Sequence, residues 1–193
     1  MKDFSNNFEQ EQTIKDNDSV IMDFVVAPAS DHASGLNLEG LVDYINKKTN
    51  FKINLILCKD YNEAIEALIQ GKAQIGWLGP YAYLEASRSG AIEQFAIGLP
   101  KGKKTTNYQS VFIVRQDSTI TSLEKIKNTR LIIGDHHSTS GYAVPKQVLS
   151  EVGINIDNEN EFKEVIKSNT HDEAIRDIIE GRADVAPVSS VNL

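Results

Sequence analysis

The chain has 193 residues, of which 40% are hydrophobic and 24% charged, a composition typical of a folded globular protein. Its formal net charge of −7 argues against the broad basic face that nucleic-acid binding normally needs. The single cysteine, Cys58, excludes an internal disulfide and a cysteine-based zinc cluster. A chain of this length buries a sizeable core without a disulfide or a metal. Its length fits one domain or two small ones.

The N-terminal residues differ in character from the rest of the chain. No stretch of the sequence approaches the roughly 18 to 20 apolar residues that span a bilayer, and the start lacks the charged-then-apolar order of a signal peptide. Residues 1–20 are polar and almost without periodicity, which predicts a flexible leader. Such a leader fits the tether of a lipoprotein whose signal and anchoring cysteine were removed, and it fits the frayed start of a cytosolic protein equally well.

Apolar spacing becomes regular at Ile21 and predicts strands that alternate with helices. The strands are predicted at residues 21–26, 52–57 and 73–78, and the helices at residues 36–45, 62–70 and 81–89. Two further strands, at residues 95–99 and 110–115, flank a polar link at residues 101–107. This link is a candidate crossing between domains.

A second series of the same kind follows. Strands are predicted at residues 130–134, 162–166 and 183–188, and helices at residues 122–127, 141–152 and 172–180. Residues 61–76 also align with residues 171–186 at an offset of 110, and the two segments share identical Glu, Ala, Ile and Gly residues at several positions. The sequence therefore predicts an α/β first lobe (residues 21–104), an α/β second lobe (105–188) and the start of a crossing back to the first lobe (189–193). A ligand is expected in the cleft between them, at the carboxyl ends of the strands.

The segment with the most candidate functional side chains runs from Gly134 to Tyr142, between a predicted strand and a predicted helix. Its hydroxyls, Ser138, Thr139 and Ser140, coincide with the free N–H groups and positive end of a helix N-terminus, which predicts an anion site. The alternative is that one of them simply caps the helix. The GxxxxGK[ST] pattern of a nucleotide-binding P-loop is missing, which argues against nucleotide hydrolysis.

The histidines suggest a metal site only weakly. His136 and His137 are adjacent and so point in different directions, and no HExxH or HxH spacing is present. We therefore predict no metal and no cofactor. His171 begins a helix, where an imidazole can donate to an oxyanion; alternatively, it is a partly exposed residue at a helix start.

A serine hydrolase is a minor alternative. Its nucleophile, base and orienting acid would be drawn from Ser138 or Ser140, His136 or His171, and Asp135 or Asp172. The GxSxG elbow of such enzymes is absent, and hydroxyls grouped at a helix start are better placed to hold a charge.

Several aromatic residues lie beside polar turns. Tyr81 directly follows Gly79-Pro80 and is a ligand candidate, whereas Trp77 and Tyr83 fit packing between strand and helix. Tyr61 and Tyr108 would, on their own, be surface tyrosines.

The order of these landmarks resembles that of the phosphonate-binding group of ABC transporter substrate-binding proteins, a branch of the type II periplasmic binding proteins. The matching segments are Val26-Ala27-Pro28, Asp60-Tyr61, Leu78-Gly79-Pro80-Tyr81, Tyr108-Gln109-Ser110, Ser138-Thr139-Ser140-Gly141 with Pro145, and His171 before Glu173-Ala174. The serine–threonine–serine loop with its downstream proline and histidine is the most specific of them.

The resemblance implies a two-lobed α/β binding protein, not an enzyme, that delivers a phosphonate, phosphite or phosphate to ABC permease subunits outside the cytoplasm. A ligand-sensing domain of a receptor for the same oxyanion is the alternative. By the same resemblance the oxyanion is held by Ser138, Thr139, Ser140 and His171, with Tyr61, Tyr81 and Tyr108 closing around it.

Two departures from the family pattern carry expectations of their own. Family members continue beyond the last strand and return to the first lobe, so the chain resembles a truncated member whose first lobe is incompletely covered. Members that take aminoalkyl phosphonates place a carboxylate just after that strand, where this chain has Ser189-Ser190-Val191. A ligand carrying an amine is therefore not expected.

Overall fold

The computed structural model describes residues 19–28, 38–99 and 104–193, which leaves most of the predicted leader and residues 101–103 of the predicted link outside it. In the first half its elements are β1 (Val20–Val26), α1 (Leu38–Lys48), β2 (Phe51–Leu57), α2 (Tyr61–Ile69), β3 (Ile75–Trp77) and α3 (Pro80–Ser87). In the second half they are β4 (Ser110–Ile113), β5 (Arg130–Ile133), α4 (Val144–Glu151), β6 (Glu164–Lys167), α5 (His171–Ile179) and β7 (Ala186–Ser189). None of these described helices has the length and apolar composition needed to cross a membrane.

The first lobe is a parallel sheet in the order β2–β1–β3, covered on both faces. Successive side chains of the central strand point to opposite faces. Phe24 and Val26 therefore pack on one face with Val42 of α1, and Val25 packs on the other with Ala64 of α2. This alternation buries both faces of β1, which is why its sequence is a continuous apolar run interrupted only by Asp23.

The second lobe combines a parallel and an antiparallel pair. Strands β5 and β6 run parallel, β4 and β7 run antiparallel, and a parallel bridge between Leu131 and Val185 joins the two pairs. Leu131 packs against Leu149 of α4 on one face, while Ile132 packs against Ile178 of α5 on the other. The carboxyl ends of β1 and β5 thus each lead into a loop at one edge of a covered sheet, the position where ligands bind in α/β folds.

The 110-residue internal repeat has the same structure in both copies. Helices α2 and α5 each contain nine residues, and each is followed by a glycine with positive φ, +67° at Gly71 and +73° at Gly181. A left-handed residue just after a helix favours glycine because glycine has no side chain to clash. The repeat therefore reproduces the start and the end of the helix as well as its sequence.

Four predicted elements differ from the structure. The helix predicted at residues 122–127 is a short 3₁₀ turn, Leu123–Ile126. The strand predicted at residues 95–99 is wrong, because no described strand pairs with this segment and its alternating Phe95, Ile97 and Leu99 are 80%, 66% and 54% exposed. The helix predicted from residue 141 begins instead with a π-helical turn, Thr139–Ala143, that leads into α4. The last strand pairs regularly only from Ala186, after the single bridge at Val185.

Leu149 of α4 provides a test of the second lobe's core. Its side chain is fully buried between β5 and the turn after α4, so Leu149→Ala should lower the free energy of unfolding by about 2 to 5 kcal/mol. Leu84→Ala in α3, where the leucine is 56% exposed, is the matched control and should stay within about 0.5 kcal/mol. Urea denaturation followed by circular dichroism measures both. Equal losses in the two variants would contradict this description of the core.

Candidate functional site

The loop after β5 folds back onto itself through two glycines. The N–H of Gly134 donates to the carbonyl of Gly141 at 2.9 Å. A Cβ atom on Gly134 would lie only 3.0 Å from the Cα of Gly141, and one on Gly141 would lie 2.9 Å from the hydroxyl of Ser138. The close approach of the two backbone segments therefore needs glycine at both positions, and it fixes where residues 135–140 lie.

Asp135 shapes the first half of this loop. Its Oδ1 accepts hydrogen bonds from the backbone N–H of His137 at 2.7 Å and lies 3.1 Å from the His137 ring Nδ1. Its backbone carbonyl accepts from the N–H of Ser138 at 2.8 Å. This is the turn that an aspartate forms with the backbone two residues ahead of it.

Ser138 caps the helical segment that follows. Its hydroxyl oxygen accepts from the N–H of Gly141 at 3.0 Å, and its carbonyl accepts from the N–H of Ala143 at 3.0 Å. The capping role is therefore correct for this serine, but it does not exclude ligand binding. A hydroxyl that accepts a hydrogen bond still has a proton to donate.

Thr139 joins the two lobes. Its Oγ1 accepts from the backbone N–H of Tyr81 at 2.9 Å, across 58 positions in the sequence. Tyr81 is the second residue of α3, whose own N-cap residue, Gly79, has no side chain to offer. Thr139 of the second lobe thus supplies the cap that a helix of the first lobe lacks, and its hydroxyl proton is left for another acceptor.

Ser140 and His171 form a buried pair. The Ser140 hydroxyl lies 2.9 Å from Nε2 of His171, and the two residues are only 3% and 8% exposed. Burial lowers the pKa of His171 below its usual value, with a smaller opposing effect from the charge of Asp172. The imidazole is therefore neutral at neutral pH and carries one ring proton to donate.

The start of α5 is held by a reciprocal cap. The Thr170 hydroxyl accepts from the N–H of Glu173 at 3.1 Å. The Glu173 carboxylate reaches back and accepts from the N–H of Asn169 and the hydroxyl of Ser168, both at 3.0 Å. This capping box fixes the backbone on both sides of His171, the first residue of the helix.

The start of α2 repeats that arrangement in the first lobe. Asp60 accepts from the N–H of Glu63 at 2.8 Å, and the Glu63 carboxylate accepts from the N–H of Lys59 at 2.7 Å. Tyr61 therefore occupies in α2 the position that His171 occupies in α5. The repeat predicted from the sequence places one side chain of each lobe at equivalent points.

Both of these side chains reach the same cavity between the lobes, which has an empty volume of about 270 Å³ including its open mouth. Pro28 and Tyr61 line it from the first lobe. The polar residues that line it from the second lobe include Asp135, Ser138, Ser168, Thr170 and His171. Among the described residues, no lysine or arginine lines this cavity. Its small size suits a ligand of a few heavy atoms rather than a drug-sized molecule.

Tyr61 presents a protonated phenol to the cavity. Burial raises its pKa to about 12, the nearby Ser138 hydroxyl partly offsets that rise, and the charges of Asp135 and Tyr108 add to it. The phenol is therefore a hydrogen-bond donor at every physiological pH. The effect of Tyr108 on the pKa of Tyr61 also places these two tyrosines near each other, and both of them were assigned to the ligand site in the sequence analysis.

The structure places six of the seven predicted binding residues in two layers. The side chain of the seventh, Tyr81, is not among those that line the cavity, and only its backbone N–H is bonded to the loop. Those that line the cavity are Tyr61, Ser138 and His171. Those joined to them are Ser140, bonded to His171; Thr139, which follows Ser138 and meets the backbone N–H of Tyr81; and Tyr108, which acts on Tyr61. Their role in binding is taken up below as a proposal.

Several residues of the cavity lining were not predicted as binding residues, and the polar ones are Asp135, Ser168, Asn169 and Thr170. Asp135 was considered in the sequence analysis only as the orienting acid of a hydrolase, although an aspartate two residues before a backbone N–H in a turn commonly has its side chain fixed by that N–H. Ser168 went unnoticed, although the pattern Thr170-x-x-Glu173 marks a capping box whose glutamate reaches back toward the preceding residues.

The histidines of the loop have separate partners. His137 pairs with Asp135, and the ring of His136 packs edge-on against Tyr142 with 4.4 Å between ring centroids. Within residues 19–28, 38–99 and 104–193, no group of three or more His, Cys, Asp or Glu side chains is arranged to hold a metal ion.

A cleft between two α/β lobes, lined by fixed hydrogen-bond donors, defines the class of two-lobed substrate-binding proteins. Residues 24–193 match the family described as the phosphonate, periplasmic substrate-binding protein of ABC transporters, and the chain belongs to that family. This confirms the family resemblance seen in the sequence. The family is one of substrate-binding transport proteins of the periplasm.

Individual relatives are more distant. The chain is 29% identical over 154 residues to the phosphonates-binding periplasmic protein of Escherichia coli, covering 77% of this chain and 44% of that protein. It is 28% identical over 116 residues to the phosphate-import protein PhnD of Mycolicibacterium smegmatis, covering 59% of this chain and 36% of that one. The matches therefore span less than half of each relative's length.

Solved structures confirm the predicted two-lobed fold. A binding protein component of an ABC phosphonate transporter from Pseudomonas aeruginosa superposes with a TM-score of 0.73 at 21% identity, over 91% of this chain and 59% of that one. PhnD1 from Prochlorococcus marinus, solved with methylphosphonate, gives the same TM-score at 20% identity, over 87% of this chain and 63% of that one.

Glu173 provides a test of how His171 is positioned. Glu173→Ala removes the acceptor for two donors ahead of α5, so it should lower the free energy of unfolding by about 0.5 to 2 kcal/mol and shift the NMR signals of the His171 ring. Glu173→Gln keeps an acceptor oxygen, so its free energy of unfolding and its His171 ring signals should be close to those of the unmodified chain.

The matched control is Glu63→Ala, which removes the equivalent box in the other lobe. It should cost a similar amount of stability and leave the ring signals of His171 in place. If both alanine variants moved those signals alike, the box would not be what orients His171.

Proposed function

We propose that this chain captures a small phosphorus oxyanion, a phosphonate, phosphite or phosphate, in the cleft between its lobes and delivers it to an ABC importer. The observation that carries the proposal is the convergence of Tyr61, Ser138 and His171 on one small cavity at a helix N-terminus. The names of the relatives support this class of ligand, since one is a phosphonates-binding protein and another a phosphate-import protein.

The donors of the site are suited to an anion although they are uncharged. The Tyr61 phenol, the neutral His171 ring and hydroxyls that already accept from backbone N–H groups each have a proton to donate. Hydrogen bonds to a charged group contribute about 1.5 to 3 kcal/mol each. Three or four of them, aided by the first turn of α5, are sufficient for micromolar binding without a lysine or arginine.

Closure of the cleft is the means by which a ligand would be retained. The chain enters the second lobe just before β4, which pairs there with β7, and Gln109 and Ser190 beside these strands are joined by hydrogen bonds of 2.8 and 2.9 Å. We place the hinge beside this pair of strands, near residues 104–108 and 187–190. A ligand that contacts Tyr61 on one side and His171 on the other favours the closed state through those extra contacts.

The setting we propose is outside the cytoplasm, in contact with the permease subunits of an importer and held at the membrane by a lipid anchor. The alternative role is a ligand-sensing domain that reports the same oxyanion to a receptor. Neighbouring genes distinguish the two roles, since permease and ATPase genes indicate import and a fused transmembrane kinase indicates sensing.

A serine hydrolase is the second candidate, because Ser140 and His171 lie at the 2.9 Å distance of a nucleophile and its base. We propose that the chain is not an enzyme, since Ser140 is buried and is not among the residues that line the cavity. No turnover of 4-nitrophenyl acetate above the level of Ser140→Ala is therefore expected. Turnover that disappears in that variant would favour the hydrolase.

The donor set gives the principal prediction. His171→Ala removes a donor from the cavity lining and should weaken oxyanion binding by roughly 1 to 3 kcal/mol. Thr139→Ala and Ser140→Ala should weaken it by a similar amount, because they remove the contacts that hold the loop against the first lobe and the His171 ring in place. Calorimetric titration with phosphate, phosphite and methylphosphonate in turn measures the loss. Ser150→Ala, on the exposed side of α4, removes a serine hydroxyl away from the cleft and should bind like the unmodified chain.

Two results would contradict the proposal. If none of the three anions binds the unmodified chain, the ligand class is wrong. If an anion binds and both Thr139→Ala and Ser140→Ala bind it unchanged, the anion lies elsewhere than at this loop.

A further inference from the structure

The cleft contains a carboxylate where an anion is expected to bind. Asp135 lines the cavity together with Tyr61, Ser138 and His171. Its charge acts on the buried Tyr61 phenol across the cavity. Since no described lysine or arginine lines the cavity, the aspartate faces the ligand space without a permanent positive charge beside it.

One oxygen of this carboxylate remains available. Both described hydrogen bonds to the side chain go to Oδ1, from the backbone N–H and the ring Nδ1 of His137. The side chain is 26% exposed, so the group is neither sealed in the core nor fully in solvent. Oδ2 keeps its lone pairs, and a carboxylate oxygen can only accept a hydrogen bond.

The titratable groups that surround Asp135 come from its own loop and from neighbouring elements. His137 contacts Oδ1, Tyr61 faces it from α2, His171 faces the cavity from α5, and Tyr108 lies near Tyr61. Burial keeps His171 neutral by lowering its pKa, and Tyr61 remains protonated. A fully ionised dianion in this cavity would therefore lie beside a like charge, which strongly disfavours binding.

A ligand that keeps one acidic proton resolves this conflict. A P–OH group can donate to Oδ2, which replaces repulsion by a charge-assisted hydrogen bond. Phosphate and phosphonate groups keep such a proton in part at neutral pH, because their second ionisation falls near neutrality. A sulfonate has the same tetrahedral shape and a single charge but no proton to donate.

We propose that Asp135 is the specificity-determining residue of the cleft, which selects phosphorus oxyanions in their singly protonated form and rejects sulfonates. The proposal rests on the oxyanion-binding function proposed above and names the form of ligand that this site takes. Asp135 acts by accepting the ligand's acid proton at Oδ2, while its Oδ1 holds the loop in place.

The unmodified chain provides the first test. Calorimetry with methylphosphonate and methanesulfonate at pH 6.5 should give at least tenfold tighter binding of the phosphonate. Above the second pKa of methylphosphonate, its Kd should rise about tenfold per pH unit, the slope expected when only the protonated form binds. The pH series is then repeated with His137→Ala, which keeps the backbone N–H but removes the imidazole. A pH dependence that persists in this variant comes from the proton of the ligand and not from the His137 ring.

Asp135→Asn provides the second test. The asparagine Oδ1 still accepts from the N–H of His137, so the turn is kept, while an NH₂ group replaces the accepting Oδ2. Methanesulfonate should bind at least tenfold tighter to this variant than to the unmodified chain, and the pH dependence for methylphosphonate should flatten. Asp117→Asn, on an exposed loop, is the control and should change neither property.

The outcomes separate the two proposals. If the unmodified chain binds no phosphorus oxyanion, the proposed function itself fails. If it binds methylphosphonate and methanesulfonate equally, or with no dependence on pH above the ligand's second pKa, the role of Asp135 is wrong even if Asp135→Asn does not fold. It is also wrong if Asp135→Asn loses affinity only for 2-aminoethylphosphonate, since Asp135 would then recognise an ammonium group.

Discussion

The contact between Gly134 and Gly141 is the constraint on which the site depends. Because neither residue has a side chain, the end of β5 and the start of the following helical turn lie backbone against backbone. The six residues between them must then turn outward in a tight loop. Their polar groups consequently point in different directions, with Ser138 toward its own helix, Thr139 toward the first lobe and Ser140 toward His171. A larger side chain at either glycine would push the two backbone segments apart and disturb all three contacts at once.

The internal repeat explains why the cleft has two matched sides. A helix that begins with a capping box holds its first residue in a defined direction, and the chain uses this device once in each lobe. The backbone geometry is repeated, but the side chain at that position differs, a phenol in α2 and an imidazole in α5. Two donors of different shape and acidity therefore face one small space, although the two helices that present them are alike.

The sequence was sufficient for features that depend on nearby residues. The apolar run of β1, the helices α2 and α5 and the hydroxyl-rich loop were all predicted within a few positions, because periodicity and caps are local. It was not sufficient where a partner is distant in the sequence. The segment at residues 95–99 alternates like a strand but has no described strand to pair with, and nothing near Thr139 indicates that its partner is the backbone of Tyr81. Asp135 was not predicted to line the cavity for the same reason, since its place there depends on how the two lobes meet.

The cap that Thr139 gives to α3 ties the integrity of one helix to the position of the other lobe. In the open state that we propose, the first turn of α3 lacks that acceptor and its free N–H must bond to water, because Gly79 has no side chain to replace it. A missing N-cap costs about 0.5 to 2 kcal/mol, which corresponds to a factor of roughly 2 to 30 in the ratio of closed to open molecules. On the proposed function, the empty protein is thus biased toward closure before any ligand arrives. The proposed anion then needs to supply less free energy to close the cleft. It also enters the cleft more slowly, because the cleft is open for a smaller fraction of the time.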